Sequence, residues 1–297
     1  MKKLKSLLGL GLVLTTCLCL FGCGSRTKNA DTSKKEGTFN IVSSFYPMHI
    51  LAMNLTNKIE GVKETSMSEP NIGCIHDHTF STDDLKKVEG ADVYIENGLG
   101  LEAFNDKIKK AYPDTAIVEV AKNITGEDLN PHVWTNIDYY ISQVKYASKQ
   151  LQRLNQENKN SYAANEKSYV AKLEQLKTDN GNTIKSVEGK KVLVLDEALP
   201  NFCKFLKMNV IEIETDHEEE ALSADDLKKA IKTMNDEKVK TIFIAKDSDR
   251  STAEAIAAET GATIYELNTC MVGTKNSKAD AYITEMKENF KIIATIN

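Results

Sequence analysis

From Phe39 onward, short β-like runs alternate with helical patterns, and this happens twice, on either side of one long helical stretch. A strand, a helix and a second strand close as a parallel pair with the helix crossing over one face, so the rhythm points to an α/β fold. In the first series, residues 39–43, 62–67, 93–96 and 116–120 read as extended, and 47–59 and 101–111 as helical. Ser81-Thr82-Asp83-Asp84 opens a further helix, with Ser81 as N-cap and Asp84 at the third helical position. Residues 137–154 are helical. Asn155 then offers a cap for a longer helix over 156–185, whose sparse apolar stripe comprises Tyr169, Val170, Leu173, Leu176 and Ile184. In the second series, strands are predicted at 191–195, 210–214, 239–245 and 263–267. The helices there are 200–206, 223–234, 251–260 and 279–293, with Gly261 in the position of a C′ glycine. The expectation is two α/β lobes with mostly parallel sheets, joined by a long connecting helix. In open parallel sheets, ligands bind beyond the carboxyl ends of strands, so two facing lobes make a cleft.

The first residues read as a secretion signal. Lys2, Lys3 and Lys5 form a basic region, and residues 7–21 are apolar apart from Gly9, Gly11, Thr15 and Thr16. That run is short against the roughly 20 apolar residues that span a bilayer. It ends in Leu20-Phe21-Gly22-Cys23, which looks like a bacterial lipobox: cleavage before Cys23 and a diacylglycerol on its thiol. The alternative is a plain signal peptide with an incidental cysteine. Residues 24–37 hold no apolar side chain beyond Ala30 and read as a flexible tether. The expected organisation is a signal at 1–22, lipidated Cys23 and tether at 23–38, one lobe at 39–154, a connecting helix at 155–188 and a second lobe at 189–297. The protein would then sit lipid-anchored on the extracytoplasmic face of the cell membrane, as a monomer.

Losing residues 1–22 removes three lysines and no acid, taking the formal charge from −5 to −8. An acidic surface argues against nucleic acid as a partner. Of six cysteines, Cys17 and Cys19 lie in the signal and Cys23 is the lipidation candidate, leaving Cys74, Cys203 and Cys270. Three thiols cannot make a full disulfide framework, so packing must hold the fold. Cys203 reads as core. Cys74 and Cys270 flank candidate ligand loops. Unpaired thiols, a thiolate ligand and a cleft-spanning disulfide are all open to them.

Asn130-Pro131-His132-Val133-Trp134 carries one of only 5 histidines and the only tryptophan. Pro131 fixes its own φ and biases Asn130 toward extended backbone, so His132 should occupy a stiff corner outside any helix. His76, Asp77 and His78 lie in the loop after 62–67. Asp196 and Glu197 follow the apolar strand at 191–195, and Asn268 follows 263–267. Each loop leaves a strand end, two per lobe, so the four can converge in one cleft. Imidazole with carboxylate suits Zn²⁺, Mn²⁺ or Fe²⁺ better than Cu⁺ or Ca²⁺.

Four segments together resemble the metal-specific solute-binding proteins of ABC transporters, the zinc- and manganese-uptake lipoproteins. They are Phe45-Tyr46-Pro47-Met48, Cys74-Ile75-His76-Asp77-His78, Glu96-Asn97-Gly98-Leu99-Gly100-Leu101-Glu102 and Asn130-Pro131-His132-Val133-Trp134. The resemblance implies His76 and His132 as metal ligands. It puts the third position, usually His or Glu, on Asp196, and the fourth, often Asp, on Asn268. Asp196 has an alternative role as a helix N-cap ahead of Ala198, and Asn268 one in closing a turn. Glu197, His78, His217 or a water are further candidates to complete the shell. The long histidine-rich loop of many zinc-uptake members is absent. Asp216-His217-Glu218-Glu219-Glu220 is a short acidic stretch that reads as a solvated face or an auxiliary site.

The implied function is capture of a divalent transition metal, zinc first and manganese or ferrous iron second, and delivery to a membrane permease. A helical connector implies modest closure of the cleft. Binding is expected to weaken between about pH 7 and 5 as imidazoles protonate. Two other classes stand beside this reading. An adhesin-like lipoprotein with a degenerate site is one. A zinc hydrolase is the other, and it lacks the His-Glu-x-x-His helix such enzymes often carry; an enzyme is not expected.

Overall fold

β1 (Phe39–Ser43) runs through the middle of a four-stranded sheet, flanked by β2 (Val62–Ser66) and β3 (Val93–Glu96), with β4 (Ala116–Glu119) at the far edge. All the pairings are parallel, for example Ile41 opposite Val93 and Val93 opposite Ala116. The computed structural model describes residues 37–126, 129–211, 223–246 and 248–296. The signal segment, Cys23, most of the tether, and His217 with its acidic neighbours lie outside the described residues. Crossovers are made by α1 (Tyr46–Thr56), α2 (Thr82–Val88) and α3 (Asn105–Ala111). Every residue of β3 is buried, as expected for a parallel strand covered on both faces.

The second sheet repeats this order. β5 (Lys191–Val194) lies between β6 (Asn209–Ile211) and β7 (Thr241–Ala245), and β8 (Thr263–Leu267) pairs with β7. These pairings too are parallel. α7 (Pro200–Phe205), α8 (Ala224–Asp236) and α9 (Ser251–Thr260) connect them, and α10 (Ala281–Ile293) packs back on β8. Gly261 takes φ +65° just past α9, the left-handed cap expected of it.

Between the sheets come α4 (Ile137–Leu154), a 3₁₀ turn at Gln156–Asn158, α5 (Lys159–Asp179) and α6 (Gly181–Val187). The single helix expected over 156–185 therefore begins as a 3₁₀ turn and is interrupted once, at Asn180. Asn180 has φ −107° and ψ 11°, and its Nδ2 donates to the Leu176 carbonyl at 2.8 Å. An asparagine followed by a glycine is a weak pair for helix propagation, and here the Asn side chain competes for a backbone acceptor.

The helix expected from Leu101 starts only at Asn105. Glu102 is the cause. Its carboxylate accepts from Asn97 N at 2.7 Å, Gly98 N at 3.0 Å and Ser44 Oγ at 2.9 Å, which ties the 97–102 segment into a turn. Gly98 is required there: it has φ +87°, and a Cβ would stand 2.1 Å from Glu119 Cγ.

One apolar core runs through both lobes. Tyr140 of α4 stacks on Tyr282 of α10 at 3.9 Å, and Phe45 meets Trp134 edge-on at 5.1 Å. Phe202 and Phe205 of α7 pack on Phe290 of α10. Leu173 and Leu176 of α5 belong to the same cluster. A smaller cluster under α8 and α9 covers the opposite face of the second sheet. Among the described residues, no helix is long and apolar enough to cross a membrane.

Candidate metal centre

The loops that leave the carboxyl ends of β2, β4 and β5 meet at one point. Cys74, His76, His132 and Glu197 each offer a donor atom there, and the four atoms all lie within 4.8 Å of one another.

His132 is the fixed member. It precedes a 3₁₀ turn, Val133–Thr135, with φ −76° and ψ 48°, so it does stand at a non-helical corner. Trp134 anchors the corner by donating from Nε1 to Thr269 O at 2.9 Å, and Tyr282 donates to Trp134 O at 2.7 Å. Thr135 Oγ1 reaches Ala198 O at 2.8 Å. The histidine loop of one lobe is thus bonded directly to both ligand-side loops of the other.

Asn130 decides which imidazole nitrogen is free. Its Nδ2 donates to Glu197 O at 2.7 Å, so its Oδ1 is the acceptor turned toward His132. That oxygen receives His132 N at 2.8 Å and faces His132 Nδ1 at 2.9 Å. The proton therefore sits on Nδ1, and the Nε2 lone pair points into the cluster, 3.2 Å from Cys74 Sγ and 3.4 Å from Glu197 Oε1. Burial, then the neighbouring His76, push the His132 pKa down to about 4. The side chain is neutral near pH 7, as a metal ligand must be.

His76 lies in the 3₁₀ turn Ile75–Asp77, more exposed than His132, with Nδ1 2.8 Å from Cys74 Sγ and 3.5 Å from Glu197 Oε1. Its Nε2 is 3.0 Å from Asp77 Oδ1, an orienting carboxylate on the far side of the ring. Ile75 between Cys74 and His76 is fully buried and pins the turn. Burial holds the Cys74 thiol up at about 12. The Glu197 carboxyl is also raised, by burial and by nearby Asp77 and Asp196, with His76 opposing.

The other residues expected at the site are elsewhere. Asp196 Oδ1 accepts from Ala198 N at 2.9 Å, which closes a turn ahead of α7 instead of capping the helix, whose N-cap is Leu199; burial raises its pKa. Its side chain is outside the four-donor cluster, and its neighbour Glu197 is inside. Asn268 faces α10: its N donates to Asn289 Oδ1 at 2.7 Å and its Nδ2 to Glu288 Oε2 at 3.1 Å. His78 pairs with Asp84 at 3.0 Å, next to the Ser81 cap of α2. His49 pairs with Glu64 at 2.9 Å. Cys74, Cys203 and Cys270 are all free, so the cleft-spanning disulfide is not formed.

Sequence reasoning missed a supporting layer of amides. Asn97 Nδ2 donates to Pro131 O at 3.0 Å and its Oδ1 accepts from Gln143 Nε2 at 2.8 Å. Asn201 Nδ2 donates to Asn130 O at 3.0 Å. Nothing local marks Gln143 or Asn201, since each acts on a loop distant in sequence. Asn97 and Asn130 lie inside the four motif segments, where their neighbours draw attention to them.

The sequence matches the family described as zinc-uptake complex component A, periplasmic, over residues 41–296. An iron ABC transporter substrate-binding lipoprotein, MtsA of Streptococcus pyogenes serotype M6, is 27% identical over 99% of this chain and 98% of its own length. The high-affinity zinc uptake system protein ZnuA of Bacillus subtilis strain 168 is 24% identical over 95% of this chain and 94% of its own. The solved structure of FpvC from Pseudomonas aeruginosa in complex with Mn²⁺ aligns with a TM-score of 0.77 at 22% identity, covering 86% of this chain and 97% of that one. At such identity the structural likeness speaks to the fold. With two parallel sheets, a cleft between strand ends and a family match across nearly all the described residues, the chain belongs to the zinc-uptake component A family of metal ABC transporter substrate-binding proteins.

Proposed function

We propose that this chain captures one divalent transition metal, zinc first, in the interlobe cleft and delivers it to an ABC permease. The metal is cargo. His76 and His132 bind it from the first lobe, and Glu197, in preference to Asp196 or Asn268, binds it from the second. The convergence of these donors from three loops carries the reading. Two imidazoles and a carboxylate form a borderline donor set that suits zinc. Manganese or ferrous iron is the second reading, favoured by relatives whose names carry those metals. The chain acts as a monomer; its tether is a lipid on Cys23, and relatives named lipoproteins support that anchor. Hydrolysis is disfavoured, because a catalytic zinc keeps an open position beside three protein ligands, and here a fourth donor, Cys74, meets His76, His132 and Glu197.

The test is elemental analysis of protein purified without added metal, followed by titration of chelator-stripped protein with Zn²⁺, Mn²⁺ and Fe²⁺. One zinc per chain, lost when His76 and His132 are both replaced by alanine, is expected. Failure of all three ions to bind contradicts the reading.

A further inference from the structure

We propose that Cys74 is the fourth metal ligand, bound as a thiolate, and that it biases this centre toward thiophilic ions such as Zn²⁺, Co²⁺ and Cd²⁺ and against Mn²⁺. The inference rests on the metal-capture reading above and sharpens it. Three observations about Cys74 carry it.

The first is distance. With Zn–N and Zn–O of about 2.0 Å and Zn–S of about 2.3 Å, tetrahedral geometry demands donor separations of about 3.3 Å between nitrogen and oxygen and about 3.6 Å between sulfur and nitrogen. Glu197 Oε1 is 3.5 Å from His76 Nδ1 and 3.4 Å from His132 Nε2, so both carboxylate–imidazole separations already have the length of tetrahedral edges. Cys74 Sγ approaches the same two nitrogens at 2.8 and 3.2 Å. The sulfur needs to withdraw by only a few tenths of an ångström to somewhat under one to admit an ion.

The second is anchoring. Cys74 has φ −73° and ψ 134° and opens the 3₁₀ turn that carries His76. Ile75 between them is wholly buried. Cys74 and His76 thus flank one inward anchor and both reach the cluster, while Asp77 holds the remaining nitrogen of His76.

The third is the contrast with the other described cysteines. Cys203 and Cys270 are buried among core residues, whereas Cys74 is half-buried, free and aimed at two imidazoles. A thiol placed for packing has no need of two nitrogen partners.

On binding, the Sγ–H bond breaks, the metal–sulfur bond forms, and the proton passes to solvent. Thiolate suits zinc and its analogues, whereas manganese prefers carboxylate, carbonyl and water oxygen. The sulfur therefore supplies selectivity that the two histidines and Glu197 do not.

Cobalt(II) reports both the site and the sulfur. We expect the full chain loaded with Co²⁺ to show visible d–d bands of four-coordinate intensity together with a near-ultraviolet thiolate-to-cobalt charge-transfer band. C74S should keep the d–d bands, lose the charge-transfer band, and lower the preference for Zn²⁺ over Mn²⁺ by about tenfold or more. C74A gives the same reading should the serine variant fold poorly. Strong d–d bands in the wild type without charge transfer, or charge transfer that persists in C74S and C74A, overturn the thiolate ligand and leave metal capture standing. Absence of any cobalt d–d bands overturns the metal centre itself, and the inference with it.

Discussion

At the residue scale, the decision lies between adjacent acids. Asp196 spends its Oδ1 on the Ala198 amide, while Glu197 reaches both imidazoles. Asp196→Asn retains an acceptor for the turn and should leave zinc affinity within about threefold, whereas Glu197→Gln should weaken it at least tenfold, about 1.4 kcal/mol. Competition titrations against a fluorescent chelator read both, and equal losses contradict the assignment. His132 makes a second prediction. Its pKa is pushed down to about 4, against about 6.5 in an unfolded chain. Between these values the unfolded state binds a proton that the folded state refuses, so stability falls as pH falls through that window. The urea midpoint of metal-free protein should drop from pH 6.5 toward 4, with a shallower drop in His132→Gln. Parallel slopes argue against a buried neutral imidazole. The same depression means that His132 does not compete for protons between pH 7 and 5, which narrows the expected loss of metal in that range. The pattern of Pro131, His132 and Trp134 makes the corner legible in the sequence. The one-residue choice of Glu197 over Asp196 is not legible there, because it depends on which side chain the turn beneath them consumes.

At the scale of elements, local signals work where local physics governs. Ser81 caps α2 through a reciprocal box with Asp84, and Ser223 does the same for α8 with Asp226. Ser81→Ala should cost about 1 kcal/mol of stability in chemical denaturation while zinc affinity stays unchanged. A loss of affinity instead would mean that the cap positions the Cys74–His76 loop, for which His78 paired with Asp84 is the connecting contact. Boundaries misread from sequence turn on what single side chains bond. α3 starts late because Glu102 is spent on Asn97, Gly98 and Ser44. The connector breaks at Asn180, although its apolar stripe continues beyond the break to Ile184, partly buried against the core.

At the scale of the molecule, two sheets of matching order, β2-β1-β3-β4 and β6-β5-β7-β8, present their strand ends to one cleft. The doubled alternation of strands and helices makes this architecture readable from sequence. The continuity of the core is less readable, since contacts such as Tyr140 on Tyr282 join residues far apart in the chain. That shared core, with Trp134 and Thr135 bonded across to Thr269 and Ala198, gives the lobes little freedom to swing apart. On the proposed reading the cleft is a preformed seat for an ion, with the Cys74, His76, His132 and Glu197 donors already within 4.8 Å of one another. The central claim is that one metal sits where these loops meet. Anomalous diffraction at the zinc edge from crystals of zinc-loaded protein tests it most directly. A single strong peak is expected within about 2.0–2.2 Å of His76, His132 and Glu197 donor atoms. A peak ligated by Asp196 and Asn268 without Glu197, or no peak in the cleft, would contradict it.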